Sequence, residues 1–237
     1  MDLTGKRAVV LGGTSGIGLA TVQKLLAAGV EVTAGGRSER NIARAAEAAP
    51  GATFRAIDVL DRDALEALFS DCASFDVLVN AATGGDRAVG PFLSMDPEGF
   101  QGSFRKLWGY VNSVRFGAHH MSETGSIVLV SGSPARKCQP GMSSISSVGN
   151  AVEGFVRAIA PELAPRRINV VSPGIIDTPM FPVQGDDRSK FLDQATANNL
   201  IKRAGTADEV ADAVMFLLGN EFVTGTTVDV DGGALLP

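Results

Sequence analysis

Two side chains that can exchange protons lie close together in the middle of the chain. Tyr110 is the only tyrosine of the sequence, and Lys106 stands four positions before it in a segment with a helical pattern. Residues four apart share one face of a helix, and an ammonium beside a phenol lowers the pKa of that phenol. The pair is therefore a candidate for general acid–base catalysis. The alternative is that Tyr110 packs between helices while the stem of Lys106 covers apolar surface.

A glycine-rich loop after the first predicted strand is a candidate phosphate-binding site. Its glycines follow the spacing Gly-x-x-x-Gly-x-Gly. Glycines let the backbone turn tightly and approach a pyrophosphate, whose charge the N-terminus of the next helix stabilises. A purely structural turn is the alternative, but the position at the first strand–helix junction favours dinucleotide binding. The residues of this predicted site are Gly12, Thr14, Ser15, Gly16, Ile17 and Gly18.

Arg37 indicates which dinucleotide this site would take. It directly follows the second predicted strand, 19 residues after Gly18. In dinucleotide-binding folds an acidic residue near this position binds the ribose 2′-hydroxyl of NAD, whereas an arginine accommodates the 2′-phosphate of NADP. Arg37 with the adjacent Ser38 therefore favours NADP(H) through charge-assisted hydrogen bonds. The alternative is a solvated Arg37, with Glu39 binding the ribose instead.

The elements that must position these residues alternate along the whole chain. The predicted strands span residues 8–11, 30–34, 54–57, 76–80, 126–130, 168–171 and 227–230, and the predicted helices span 16–28, 39–49, 61–69, 98–121, 144–163 and 207–218. Short, continuously apolar strands between helices are typical of parallel strands buried on both faces. We therefore predict an α/β fold, with a doubly wound parallel sheet of about seven strands in a single domain, residues 1–237. Residues 179–199 mix proline, glycine and charge, and we expect them to form a lid over a substrate.

Composition and charge argue against several classes of function. The net charge of −5 disfavours nucleic-acid binding, which depends on a basic surface. No apolar run reaches the ~18 residues of a membrane span, and the start of the chain lacks the apolar core of a secretion signal, so we expect a cytoplasmic protein. Cys72 and Cys138 form no metal-binding spacing with each other or with His119 and His120, so we expect no metal site.

Several motifs resemble those of the short-chain dehydrogenase/reductase family. Besides the glycine loop, they are the pair Asp58-Val59, the turn Asn80-Ala81-Ala82-Thr83 and the segment from Pro173 to Met180, all in the family's order. The resemblance covers essentially the whole chain. It implies a Rossmann-type fold, a nicotinamide cofactor, a small-molecule substrate and a homotetramer or homodimer. It also implies that the cofactor contacts Asp58, Val59, Asn80, Ala81, Pro173, Gly174, Ile176 and Thr178.

The same resemblance indicates that the family's catalytic positions have changed. Members of the family use a Tyr as proton donor, a Lys four residues later, a Ser at the substrate oxygen and an Asn on the preceding long helix. By their sequence neighbours, these positions correspond in that order to Ile145, Gly149, Gly132 and Lys106. Serines flank the third of these positions on both sides. The candidate catalytic residues are therefore Lys106, Tyr110, Ser131 and Ser133.

These observations predict an NADP(H)-dependent oxidoreductase that acts on a carbonyl, alcohol or imine with an altered proton-donating site. Because the cofactor carries the hydride, loss of the usual general acid lowers the rate by about 10²–10⁴ without removing the reaction. Two alternatives stay open. One is a non-catalytic NADP(H)-binding sensor or assembly partner, and the other is a lyase or isomerase that uses the same pocket without redox change.

Overall fold

The computed structural model describes residues 2–83 and 87–237, and it confirms the doubly wound parallel sheet. The strands of the main sheet are β1 (Arg7–Leu11), β2 (Glu31–Gly36), β3 (Thr53–Ala56), β4 (Phe75–Asn80), β5 (Met121–Val130), β6 (Arg167–Pro173) and β9 (Thr227–Val230). They lie in the order β3–β2–β1–β4–β5–β6–β9, and every neighbouring pair is parallel. Two shorter strands, β7 (Ile176–Asp177) and β8 (Gly205–Thr206), pair with each other.

Helices follow most of the strands and cover the sheet. They are α1 (Gly16–Ala27), α2 (Glu39–Ala48), α3 (Arg62–Asp71), α4 (Pro97–Ser103), α5 (Arg105–Gly117), α6 (Ser143–Leu163), α7 (Asp186–Thr196) and α8 (Ala207–Gly219). Single 3-10 turns occur at Phe92–Ser94, Ala118–His120 and Ser133–Ala135. Within the described part of the chain, no helix is both long and apolar enough to cross a membrane.

Strand β1 shows why these strands are continuously apolar. Val9 and Leu11 pack into one core with residues of α3, α5 and α6. Ala8 and Val10 point to the opposite face and pack with residues of α1 and α8. Alternate residues of a strand face opposite sides of its sheet, so a strand covered on both sides needs an apolar residue at every position.

The predicted helix over residues 98–121 is divided in the structure. Helix α4 starts with Pro97 after Asp96, whose carboxylate accepts hydrogen bonds from the backbone N–H groups of Glu98 and Gly99. Phe104 separates α4 from α5, and strand β5 begins at Met121, earlier than the apolar pattern predicts. The irregular stretch at residues 179–199 contains helix α7.

The strand order places a crevice beside the N-terminus of α1. From β1 the chain builds outward to β3 on one side of the sheet and, starting with β4, towards β9 on the other. Connections that leave β1 and β4 in opposite directions open a gap beyond the carboxyl ends of these strands, which is where open α/β sheets bind ligands.

Candidate functional site

The crevice beyond β1 and β4 is a cavity of about 640 Å³. Its walls come from the loop between β1 and α1, the end of β2, the start of α2 and the segments that follow β3, β4 and β7. It is lined by Gly12, Thr14, Ser15, Gly16, Ile17, Gly18, Gly36, Arg37, Ser38, Asn41, Ile57, Val59, Ala81, Ala82, Thr83, Thr178, Pro179 and Met180. The structure therefore brings the predicted phosphate loop and the predicted ribose-binding residues to one cavity.

Two glycines of the loop have no space for a side chain. Gly12 has a φ of +76°, and a Cβ built on it would lie 2.5 Å from the backbone nitrogen of Ala82. A Cβ on Gly18 would lie 2.1 Å from the carbonyl oxygen of Gly12. The backbone of the loop therefore packs directly against the turn after β4 and against the first turn of α1.

The N-terminus of α1 faces this cavity with its backbone donors available. Ser15 occupies the N-cap position in an extended conformation, and its side chain makes no capping hydrogen bond. The first turn contains no acidic residue. The first N–H groups of a helix and its dipole attract anions, so this end suits a pyrophosphate.

Arg37 and Ser38 line this cavity just beyond the end of β2. Both side chains are exposed and line the cavity, and the Nη1 atom of Arg37 lies 4.0 Å from Oδ2 of Asp58. The Ser38 hydroxyl accepts a hydrogen bond of 3.3 Å from the backbone N–H of Asn41. Asn41 also lines the cavity, and sequence reasoning missed it, although its position three residues after a helix-capping serine was a usable signal.

Two of the predicted cofactor residues shape the wall rather than line it. Asn80 is fully buried, donates to the Ser113 hydroxyl at 2.7 Å and accepts from the backbone N–H of Ala82 at 2.9 Å. Asp58 accepts from the backbone N–H of Leu60 at 3.0 Å. These bonds hold the turns after β4 and β3 in the shape that the crevice needs.

A second, smaller cavity of about 210 Å³ adjoins the first. The two cavities share a wall, because five residues line both of them: Ile17, Ala81, Thr83, Thr178 and Met180. Much of the second wall is apolar, and it includes three residues that the sequence places among the cofactor contacts: Pro173, Gly174 and Ile176. All four candidate catalytic residues also line this cavity, as do Gly132, Ile145 and Gly149.

Lys106 is the candidate whose pKa is brought towards neutral pH by burial. Its side chain is partly buried, and its Nζ atom donates to the carbonyl oxygen of Ser131 at 3.1 Å. Burial, reinforced by the positive charge of Arg87, lowers the pKa of Lys106 to about 8. An amine with this pKa can give up a proton near neutral pH.

The prediction that Lys106 lowers the pKa of Tyr110 is wrong. The ammonium lies over the ring, 5.5 Å from its centroid, rather than beside the hydroxyl. Tyr110 is fully buried, and its hydroxyl donates to the carbonyl oxygen of Val130 at 2.8 Å. Burial raises the pKa of Tyr110, because a phenolate is poorly solvated there. The packing alternative for Tyr110 therefore describes its side chain better than an activated phenol does.

The two candidate serines differ in how far their hydroxyls are engaged. Ser131 is buried, and its hydroxyl donates to the carbonyl oxygen of Gly149 at 3.2 Å. Ser133 begins the 3-10 turn at Ser133–Ala135, and its hydroxyl makes no hydrogen bond within the described residues. Ser133 is therefore the serine with a hydroxyl available to a ligand in this cavity.

The backbone around Gly132 and Gly149 explains which side chains these positions accept. Among the described residues, the atom nearest to a Cβ on Gly132 would be the Cδ of Pro134 at 3.5 Å. A Cβ on Gly149 would lie 2.8 Å from the Cβ of Ala135, because α6 packs tightly against the 3-10 turn. A lysine side chain does not fit at Gly149 in this arrangement.

Arg87 is a residue of this cavity that sequence reasoning missed. It is exposed and lines the second cavity after the turn that follows β4. No helical or strand periodicity marks its position, so only the folded chain shows that it lies near Lys106. Among the described residues, no group of three or more His, Cys, Asp and Glu side chains could hold a metal ion.

Comparisons with known proteins agree with this geometry. A family model described as enoyl-(acyl carrier protein) reductase matches residues 12–234. The chain is 31% identical to an L-xylulose reductase from Mesocricetus auratus, over 100% of this chain and 99% of the relative. A solved structure of a short chain dehydrogenase/reductase family protein matches with a TM-score of 0.86 and 33% identity, over 99% of each chain. A small-chain dehydrogenase solved in complex with NADPH matches with a TM-score of 0.84 and 28% identity, over 98% of this chain and 100% of the other. Sequence, fold and site thus agree that this chain belongs to the short-chain dehydrogenase/reductase family.

Proposed function

We propose that this protein is an NADPH-dependent reductase of a small carbonyl or imine compound, with Lys106 as the proton donor in place of the family's tyrosine. The observation that carries the proposal is the shared wall between a dinucleotide-sized crevice and a small cavity that holds a lysine with a lowered pKa. Bound NADPH would supply the hydride, and the chain's own residues would supply orientation and the proton.

The preference for NADPH rests on Arg37 and Ser38, which line the crevice. A guanidinium forms paired hydrogen bonds with a phosphate, and Arg37 lines the end of the cavity beside the start of α2. The acidic side chain nearest to it, Asp58, lies 4.0 Å from the guanidinium and is itself held by the Leu60 N–H. The small-chain dehydrogenase solved with NADPH supports the same cofactor by similarity.

Lys106 suits a proton-donating role by charge and position. At neutral pH a group with a pKa of about 8 is mostly protonated, so the ammonium is present when the substrate binds. Its hydrogen bond to the Ser131 carbonyl uses one of its three N–H donors, which leaves others for a substrate oxygen or nitrogen. After donation, the neutral amine is the form that burial favours. Ser133, in the 3-10 turn after β5, can donate a further hydrogen bond into this cavity.

Residues 179–199 would close the substrate side of the cavity. Met180 and Phe181 line it, and Phe181 packs against Phe191 of α7 with ring centroids 5.2 Å apart. Arg188 of α7 donates to the carbonyl oxygens of Thr178, Phe181 and Val183, at 2.9, 2.8 and 3.0 Å. These bonds tie the start of the segment to its helix, so the segment would move as one unit.

Cofactor binding is the first test. Trp108 is the only tryptophan and lies on α5 beside Lys106, so energy transfer from it to a bound nicotinamide reports binding. We expect NADPH to bind more tightly than NADH. Loss of hydrogen bonds to a charged group costs roughly 1.5–3 kcal/mol, so Arg37→Ala should weaken NADPH binding about 10- to 100-fold. Arg40→Ala is the matched control, since Arg40 is exposed nearby but does not line the cavity. Equal NADPH affinity in wild type and Arg37→Ala would refute the assignment of Arg37.

Turnover is the second test. NADPH consumption is followed with a panel of small ketones, oxo acids and imines, together with product analysis. One observation favours the competing function, a cofactor-binding protein without turnover: Gly132, Ile145 and Gly149 carry no group that can donate a proton. Tight NADPH binding without consumption of NADPH on any compound of the panel would favour that function over a reductase.

A further inference from the structure

Among the described residues, the ionised side chains that line the second cavity are both positive. Arg87 and Lys106 both line it, and no Asp or Glu among the described residues does. Neither cation forms an ion pair with a carboxylate within residues 2–83 and 87–237. They are close enough for the charge of Arg87 to disfavour the charged form of Lys106. Two like charges facing one small cavity repel each other, and a ligand of opposite charge would remove that cost.

Hydrogen bonds to both the N–H and the carbonyl group of Ala88 hold the backbone next to Arg87 in place. The N–H of Ala88 donates to the hydroxyl of Ser103 at 3.1 Å, and its carbonyl oxygen accepts from the hydroxyl of Ser144 at 2.6 Å. Both serines are buried, and their hydroxyls are 3.3 Å apart. The backbone N–H of Gly90 donates a hydrogen bond of 2.9 Å to the carbonyl oxygen of Gly141. Helices α4 and α6 therefore fix the point from which the Arg87 side chain extends.

The guanidinium of Arg87 keeps most of its donors available. In the described part of the chain its one hydrogen-bond partner is the thioether of Met180, with Nη1 2.7 Å from Sδ. A thioether is a weak acceptor, whereas a guanidinium has five N–H donors in a planar fork. A carboxylate matches this fork with two parallel hydrogen bonds.

We infer that the substrate carries a carboxylate, which Arg87 binds beside the carbonyl or imine that Lys106 protonates. The inference rests on the proposed reductase function and specifies its substrate class as a small oxo acid or the corresponding imino acid. The size of the cavity agrees with this class. A volume of about 210 Å³ lies below the ~300–1,000 Å³ of pockets that hold drug-sized ligands. The apolar remainder of the wall would contact the carbon chain.

The test measures binding of matched charged and neutral probes by isothermal titration calorimetry. The probes are benzoate, its neutral isostere benzamide, and phenyl phosphate, each titrated into the protein with and without NADP⁺. We expect benzoate to bind at least tenfold more tightly than benzamide. In Arg87→Gln this ratio should fall below about threefold, and Arg87→Lys should lie between, because it keeps the charge but loses the fork. Arg105→Gln is the matched control, since Arg105 is exposed on α5 and lines neither cavity.

The outcomes separate this inference from the function on which it rests. Equal affinity for benzoate and benzamide in wild type, or an unchanged ratio in Arg87→Gln, overturns the carboxylate site. Preference for phenyl phosphate over benzoate also overturns it, in favour of a phosphorylated substrate. The circular dichroism spectrum of each variant is compared with that of the wild type, which shows whether the variant is folded, and NADPH affinity is measured separately. Failure of NADPH to bind refutes the proposed function, while the probe titrations without cofactor still decide the carboxylate site.

Discussion

Replacing Lys106 with methionine should make the protein more stable and less active. Methionine keeps most of the length of the side chain but removes the charge that burial disfavours. The pKa of Lys106 falls from an ordinary 10.5 to about 8, which corresponds to about 3 kcal/mol at about 1.4 kcal/mol for each tenfold change in acidity. Methionine also loses the hydrogen bond to Ser131, worth about 1 kcal/mol, and the partial exposure of Lys106 reduces the charge effect further. We expect Lys106→Met to be about 1–2 kcal/mol more stable than wild type at pH 7.

The pH dependence of this difference follows from the direction of the shift. Between about pH 8 and pH 10.5 the unfolded chain holds the Lys106 proton while the folded chain has released it. The unfolded state then binds more protons, so the stability of the wild type rises with pH across this window. The advantage of Lys106→Met should therefore be largest below pH 8 and should shrink as the pH approaches 10.5.

Urea unfolding at pH 7, 9 and 10.5 measures this effect, and Lys202→Met serves as the matched control on the exposed surface. NADPH consumption by the same proteins should fall by about 10²–10⁴ in Lys106→Met, because a general acid is lost. A Lys106→Met protein that is less stable than wild type at pH 7, with a difference that does not vary with pH, would refute the reasoning about burial.

Two further predictions concern glycines at the site. Gly149→Ala should destabilise the protein by about 1–3 kcal/mol, because its Cβ would lie 2.8 Å from that of Ala135. In a double-mutant cycle measured by denaturant unfolding, adding Ala135→Gly should recover part of this loss. Additive effects of the two changes would contradict the proposed contact. Gly18→Ala should abolish NADPH binding in the Trp108 fluorescence titration, because its Cβ would lie 2.1 Å from a carbonyl oxygen of the phosphate loop. Gly154→Ala is the control for Gly18→Ala, since a Cβ on Gly154 would meet no described atom within 4 Å. Retained NADPH affinity in Gly18→Ala would show that the loop is not the phosphate site.

The cavity beside the N-terminus of α1 was predictable from the sequence because its signals are local. The glycine loop is one short stretch in which a positive φ at Gly12 and close backbone contacts at Gly12 and Gly18 admit only glycine. Arg37 follows the second strand at a distance set by one helix and one strand, so its place at the crevice follows from the alternation of elements. The parallel sheet was predictable from the same alternation of apolar strands and helices, because a strand covered on both faces has an apolar residue at nearly every position.

The second cavity depended on the tertiary structure because its lining comes from distant, irregular segments. Four-residue spacing correctly places Lys106 and Tyr110 near each other, but spacing cannot show that the Tyr110 hydroxyl turns to Val130 and becomes fully buried. Burial then decides both pKa values: it raises that of the phenol and lowers that of the amine. Arg87 lines the cavity from a segment without helical or strand periodicity, and Ser103 and Ser144 form hydrogen bonds with its neighbour Ala88. Sequence alone thus determined the fold and the glycine-rich loop through local pattern. The charges and pKa values of the second cavity were decided only by which side chains the folded chain brings together and removes from water.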